Sequence, residues 1–446
     1  MKELTKGFPA KVIIMFAIPL MIGNIAQQLY NITDSKIVSL YVGTDALGAV
    51  GATGSISNFL IGLVNGLTQG FSIVAARHFG AKKEEELRRT VAGSIILVSI
   101  FTIVLTVLGI IMTNPVLRVL KTPDNLLDGA TSYLSIIVMG LCFSALYNMS
   151  ANILRAIGDS KRPLYCLFIS IVLNIALDLL FAGKFGWGIK GAAYATIIAQ
   201  AVCSIACTVI LFYSTKQVVP KRNDFKLTVH EYGELLTFGM SMALMGSIVN
   251  IGTIILQSAI NSLGKTLVTA HISARRILDI MMVMVYTIGF AMTTYVSQNY
   301  GAMKYQRIKD GVRHSLIMVT IISTVLVVFC FAFARPLVSW IASSDDNTII
   351  NNGELYLKTG VVFFYFLGPL FIFRCSMQGM GSRFVPILTS TMELVIKILS
   401  VLFLVPKTGY LGVALTEPIS WVLMAIVLFF GYNSCIRKQC RTETDG

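Results

Sequence analysis

The sequence predicts an all-α polytopic membrane protein of twelve transmembrane helices, arranged as two parallel six-helix repeats. Three observations carry that prediction. Only 13% of the 446 residues are charged and 55% are hydrophobic, whereas a soluble domain is about 25% charged. Apolar runs of about 20 residues, enough to cross a hydrocarbon core as a helix, recur along the whole length. The second half of the chain also repeats the first.

The runs fall at 12–35, 47–76, 91–112, 129–154, 163–183, 189–213, 233–260, 266–298, 314–334, 355–376, 386–406 and 411–434. Of the 36 Lys and Arg residues, 24 collect on one set of alternate loops and the two termini, among them Lys2, Lys6, Lys11 and Arg437. Nine lie on the other set, including Lys36, Lys121 and Lys407, and Arg275, Arg276 and Lys397 fall within spans. Basic residues accumulate on cytoplasmic loops, so both termini are expected in the cytoplasm. The net charge of +14 reads as that bias and not as the footprint of a nucleic-acid partner. The basic N-terminus resembles a secretory signal, but no small-residue cleavage site follows and the segment is expected to be retained. Among the eight cysteines no metal-ligand spacing occurs. Cys203 and Cys207 share a helical face and read as core.

HFGAKK at 78–83 matches NYGAMK at 299–304 with an offset of 221, which also pairs Ser94 with Ser315, Pro115 with Pro336, and YVG at 41–43 with SLG at 262–264. After a two-residue insertion the offset becomes 223, pairing Tyr133-Leu134 with Tyr356-Leu357, Gly158 with Gly381 and Pro163 with Pro386. Six spans per repeat is an even number, so the halves are parallel. The expected division is an N-lobe at 1–214, a cytoplasmic interlobe linker at 215–231 and a C-lobe at 232–446. Two similar halves can rock about a central site, which points to transport by alternating access. The nearest approach to a phosphate loop, AINSLGKT at 259–266, lacks the first glycine and follows an apolar helix where a strand is required. An ion gradient is the remaining energy source. An enzyme moving prenyl or glycosyl groups would need clustered carboxylates on a polar loop, and Asp345-Asp346 is a poor match, so no enzyme is expected.

Ionisable groups inside spans are functional candidates. In YNITDSK, residues 30–36, Asp34 lies toward the outer end of span 1; Asp178 is in the outer part of span 5, and Thr196 lies about two turns into span 6. Asn174 and Asp178 are four apart and share a face, as do Gln27 and Asn31 on span 1, with Asp34 three residues further on. Carboxylates sharing a poorly hydrated cavity take up a proton, and the same oxygens suit sodium. The plainer alternative is that Asp34 snorkels to the outer interface or bonds locally, but Lys36 is a poor partner because residues two apart point to different faces. In the second half Glu393 and Lys397 are four apart and can neutralise each other, with Lys397 falling on Asn174 and Glu393 on Ser170 at the 223 offset. Arg275 and Arg276 have Asp279 within one turn, leaving structural pairing and substrate contact equally open. Glu417, aligned with Thr196, has no local partner in the sequence and is a candidate accessory site. Pro19 removes a helical hydrogen bond and is a hinge candidate. Gly62, Gly66 and Gly70 form a small-residue ridge suited to close helix packing. Met240, Met242, Met245, Met281, Met282, Met284, Phe363, Phe364 and Phe366 could supply an adaptable apolar chamber, although such residues are more often core or lipid-facing.

Taken with the repeat, the opening IPLMIGNIAQQLYNITDSKIVSLYVGTDALGAVG, the segment QGFSIVAARHFGAKK with its counterpart SQNYGAMK, the stretch NILRAIGDSKRP, and NIALDLLF followed by GIKGAAYATIIAQ resemble the multidrug and toxic compound extrusion (MATE) family, most closely its DinF-like branch. The resemblance implies a V-shaped two-lobe fold that exports bulky, often cationic organic compounds as proton or sodium ions enter. It implies a cation site at Asp34, Asn174, Asp178 and Thr196, with Gln27 and Tyr133 nearby and Pro19 at the bend of helix 1. No cofactor is implied beyond the coupling ion, H+ or Na+. The partners are small organic substrates and the lipid bilayer, with no nucleic acid; the location is a plasma membrane, the inner one in a bacterium, and a monomer suffices. Spans 7 and 10 lack the acids of the NorM-like branch. The alternative is a lipid-linked saccharide flippase of the same wider superfamily.

Overall fold

A computed structural model describes residues 3–119 and 122–444; Lys2 and Lys121 lie outside them. The first half contains α1 (Pro9–Tyr41), α2 (Thr44–Gly80), α3 (Glu84–Val119), α4 (Asp124–Met139), α5 (Leu141–Ala156), α6 (Lys161–Asp178) and α7 (Gly188–Ser214). The second contains α8 (Val229–Asn261), α9 (Lys265–Gly301), α10 (Tyr305–Ala342), α11 (Asn347–Val362), α12 (Phe364–Gly379), α13 (Phe384–Leu399), the single turn α14 (Val405–Thr408) and α15 (Tyr410–Thr444). Among the described residues there is no strand. Ten helical stretches among the described residues are long and apolar enough to cross a membrane, or twelve if each of two bent pairs is one span.

Those pairs differ from the straight spans expected at 129–154 and 355–376. Helices α4 and α5 meet at 43° and α11 and α12 at 49°. At the first break stands Gly140, where a Cβ would lie 2.5 Å from Ile197, so the close approach of α7 needs a residue without a side chain.

The duplication is visible in the helix ends. Helices α2 and α9 stand 221 residues apart at both ends, and α4 and α11, like α5 and α12, stand 223 apart at both ends. Lys82 and Met303, also 221 apart, each adopt φ 58° in the tight turn that follows α2 or α9. A π-helical turn follows α6 at Leu179–Lys184 and another follows α13 at Ser400–Leu404.

The chain forms two compact units, and they do not divide at the linker. One comprises Ile22–Leu244; the other comprises Leu4–Met21 and the residues from Met245 onward. Each unit therefore includes part of α1 and part of α8. In the first unit, Cβ atoms on Gly66 and Gly70 of α2 would lie 2.6 and 2.5 Å from the α carbons of Ala243 and Gly239. Two small-residue stripes thus bring the backbones of α2 and α8 together. The segment 215–231 is held there by ion pairs: Arg88 binds Asp224 at 3.1 Å, and Arg89 reaches both Glu231 (2.6 Å) and the Lys226 carbonyl (2.9 Å). Nearby, Cys166, Cys203 and Cys207 are buried free thiols among leucines and alanines.

In the second unit the residues before α1 are fixed mainly through their backbone. The Leu4 amide donates to Gln298 Oε1 at 3.0 Å, Lys304 Nζ donates to the Thr5 carbonyl at 3.0 Å, and Arg307 donates to the Lys6 carbonyl at 2.9 Å. Helix α9 runs through the core, burying Ile277, Leu278, Met281, Val285 and Met292. Met245, Met281 and Phe364 are core residues, whereas Met240 and Phe366 are exposed. The apolar set named from sequence is therefore split between packing and surface.

Candidate functional site

The first unit brings Asp34, Asn174, Asp178 and Thr196 together. Asp34 lies seven residues before the end of α1 and Thr196 eight residues after the start of α7, about 10 to 12 Å along each axis. Asp178 is the last residue of α6. All three elements approach from the same end of the unit, so their oxygens meet at one depth. The π turn after Asp178 has a counterpart in the second half and belongs to the repeat, not to this site alone.

Asp178 and Asn174 are fully buried, at 0% and 2% exposure. With its amide nitrogen toward the acceptors, Asn174 donates to Asp178 Oδ2 and to the Tyr30 hydroxyl, each at 2.8 Å, and its oxygen accepts from the Thr196 backbone amide at 3.1 Å. The Thr196 hydroxyl donates to the Ala192 carbonyl at 3.0 Å and lies within hydrogen-bonding reach of the Tyr30 hydroxyl. The Asp34 and Asp178 carboxyls lie within hydrogen-bonding reach of each other, and Tyr133 is near enough to interact electrostatically with both. Gln27 is exposed on α1 and makes no hydrogen bond among the described residues.

Two carboxylate oxygens have no donor. Asp34 Oδ1 and Asp178 Oδ1 are both buried without a hydrogen-bond partner among the described residues, and no lysine, arginine or histidine there forms an ion pair with either. Two ionised carboxylates repel, and neither has a proton to give the other. Their contact calls for a proton between them or a cation bound by both. The oxygens around the pair come from two carboxyls, a hydroxyl and two phenols, which fits a proton or a hard monovalent ion equally well.

Tyr30 is the member of this site that sequence reasoning missed. It stands one turn before Asp34 and faces Asn174, whereas Asn31, paired with Gln27 in the polar stripe expected from sequence, is exposed. The four-residue spacing of Tyr30 and Asp34 was the available signal.

The second unit assembles a different constellation. Arg275 donates to Asp279 at 2.7 Å and to Glu417 at 2.6 Å, and its other contact is the Tyr356 hydroxyl at 3.3 Å. Glu417, without a local partner in the sequence, thus has one 142 residues away. Lys397 pairs with Glu393 at 2.9 Å. Pro19 stands within α1, which continues through it as one helix, two residues before the point at which α1 passes from the second unit to the first.

A sequence profile of the MatE family matches residues 19–180 and 241–403. The "Probable multidrug resistance protein YoeA" of Bacillus subtilis (strain 168) is 27% identical over 440 residues, covering 95% of this chain and 93% of its own. A crystal structure of MATE in complex with MaL6 superposes with a TM-score of 0.92 at 25% identity, over 98% of this chain and 99% of that one. MATE in a bent conformation gives 0.92 at 25% identity, over 99% and 98%.

Proposed function

The chain belongs to the MatE family, and from that premise we propose that it is a cation-coupled antiporter that exports bulky, often cationic organic compounds. The observation that carries this reading is the Asp34–Asp178 pair with its two buried, unpartnered oxygens. Such a pair holds a cation, proton or sodium, in one state of the cycle and releases it in another. The multidrug name of YoeA supports the substrate class.

In this reading the halves at 1–214 and 232–446 act as lobes and the segment 215–231 connects them in the cytoplasm. Both termini are cytoplasmic, in keeping with the 24 basic residues on that side. The chain works as a monomer in a plasma membrane, the inner membrane if the cell is bacterial. Entry of the ion changes the charge of the Asp34–Asp178 pair, and Pro19 lets the part of α1 carrying Asp34 move relative to the part before it. Gln27 and Tyr133 border the ion's path.

Reconstitution in liposomes tests the proposal. Dye export is measured under an imposed sodium or proton gradient for the parent and for Asp34→Asn. The expected result is export driven by one gradient and lost in the variant while binding of dye and thermal unfolding are retained. Parental export by Asp34→Asn under both gradients would sink the coupling role of this pair.

A further inference from the structure

The second half contains its own buried polar site at the place where the first half holds Asn174. Helices α6 and α13 begin 223 residues apart, and each runs into a π turn. At that offset Lys397 stands where Asn174 stands in the first half. The correspondence extends to the neighbours. Asn174, on the fifth span of its half, meets Tyr30 on the first and Thr196 on the sixth. Lys397 donates to Thr253 on α8, the first span of its half, at 3.4 Å, and interacts electrostatically with Glu417 on α15, the sixth.

Lys397 is 1% exposed, and its ammonium lies 2.9 Å from Glu393 Oε1. The inward face of α13 is polar along its length: Thr389, Ser390, Glu393 and Lys397 are its buried residues apart from Pro386. Ser390 Oγ is buried there with no partner among the described residues. On the facing helix α8, Gly252 leaves room for the lysine stem; a Cβ at that position would lie 2.9 Å from Lys397 Cδ. Such a fit indicates that this part of the second unit is built around the lysine.

We propose that Lys397 is a tethered cation that permanently fills, in the second half, a cation site corresponding to the one the first half keeps open for exchange. A lysine ammonium has the charge of a monovalent ion and is donor-only, so it satisfies carboxylate and hydroxyl oxygens as a bound ion would. Because it cannot leave, Glu393 takes no part in coupling, and the chain carries one exchangeable cation site where the duplicated fold offers two. The inference rests on the reading of Asp34–Asp178 as the exchangeable site, but its test does not depend on that pair.

Removing the tethered ion should uncover a site for a free one. The probe is 22Na+, with its binding counted on the purified full chain in parent, Lys397→Ala and Lys397→Ala/Glu393→Gln. The expected result is a gain of about one sodium ion per chain in the single variant, matching one added site per lost ammonium, and no gain in the double variant. Sodium, but not choline at equal ionic strength, should raise the melting temperature of Lys397→Ala. Repeating the series with Asp34→Asn separates the two ideas: the gain persists if Lys397 alone masks the site, even if the first-half pair proves not to bind an ion. Should Lys397→Ala fail to fold, Lys397→Gln is measured in the same way. A folded variant with no added sodium and no sodium-specific stabilisation would overturn the proposal, including the outcome in which Arg374, which already feels the charge of Glu393, takes over the carboxylate.

Discussion

The two halves share helix ends, turns and bends, yet they treat buried charge in opposite ways. In the first unit Asp34 and Asp178 approach each other with no basic partner among the described residues. In the second, Arg275 joins Asp279 and Glu417, and Lys397 joins Glu393. A buried charge removed from water must be compensated, and a paired one is compensated at all times. The unpaired one is compensated only by something that comes and goes. In the proposed reading the second unit's ion pairs are a scaffold, and the first unit's deficit of positive charge is what makes it a site.

The largest expected effect follows from this contrast. Glu417→Gln leaves Arg275 in a mostly buried position with half its neutralising charge gone, which should destabilise the protein by about 3 kcal/mol. Asp34→Asn removes one of two repelling charges and should leave stability near the parental value. Thermal unfolding in detergent compares them, and equal losses for the two variants would break the contrast. Replacing the whole constellation, as Arg275→Met with Glu417→Met and Asp279→Leu, should restore most of the loss, since three apolar side chains leave no charge unpaired.

A second effect tests the packing that the repeat does not explain. Gly70→Ala places a Cβ against the backbone of Gly239, where no flexible side chain can yield, so α2 and α8 must separate. Overpacking of this kind costs roughly 1–3 kcal/mol. Gly246→Ala, on the same α8 but with nothing within 4 Å of the added carbon, should be neutral or slightly stabilising. Melting temperatures of the two single variants give the comparison directly.

The elements were legible because hydrophobic length and charge bias are properties of single segments, and the repeat was legible because both halves keep the same turn positions. The bends were hidden within spans of unbroken apolar character. Gly140 is one glycine among 36, and only the approach of Ile197 reveals its role. At the site, Asn174 and Asp178 could be read together because four residues in a helix set a common face. Arg275 and Glu417 could not, being 142 residues apart. The compact units were also hidden: α1 is continuous in sequence and in helix, and its division near Pro19 depends on what each part packs against.

The smallest effect sharpens the account of the first unit alone. The Tyr30 hydroxyl accepts from Asn174 at 2.8 Å, so it helps hold the amide in the orientation that serves Asp178. In Tyr30→Phe the ring remains and a single acceptor is lost, worth about 1 kcal/mol and hence roughly a fivefold weaker hold on the coupling ion. Thr253→Val in the second unit likewise removes one hydroxyl, near Lys397 at 3.4 Å, but Glu393 still neutralises the ammonium. Its effect on the ion dependence of export should be nil. Export rate as a function of coupling-ion concentration distinguishes the two: a shifted midpoint for Tyr30→Phe and an unshifted one for Thr253→Val is the pattern expected if only the first unit exchanges its cation. A matching shift in both would mean that the polar sites of the two halves work together.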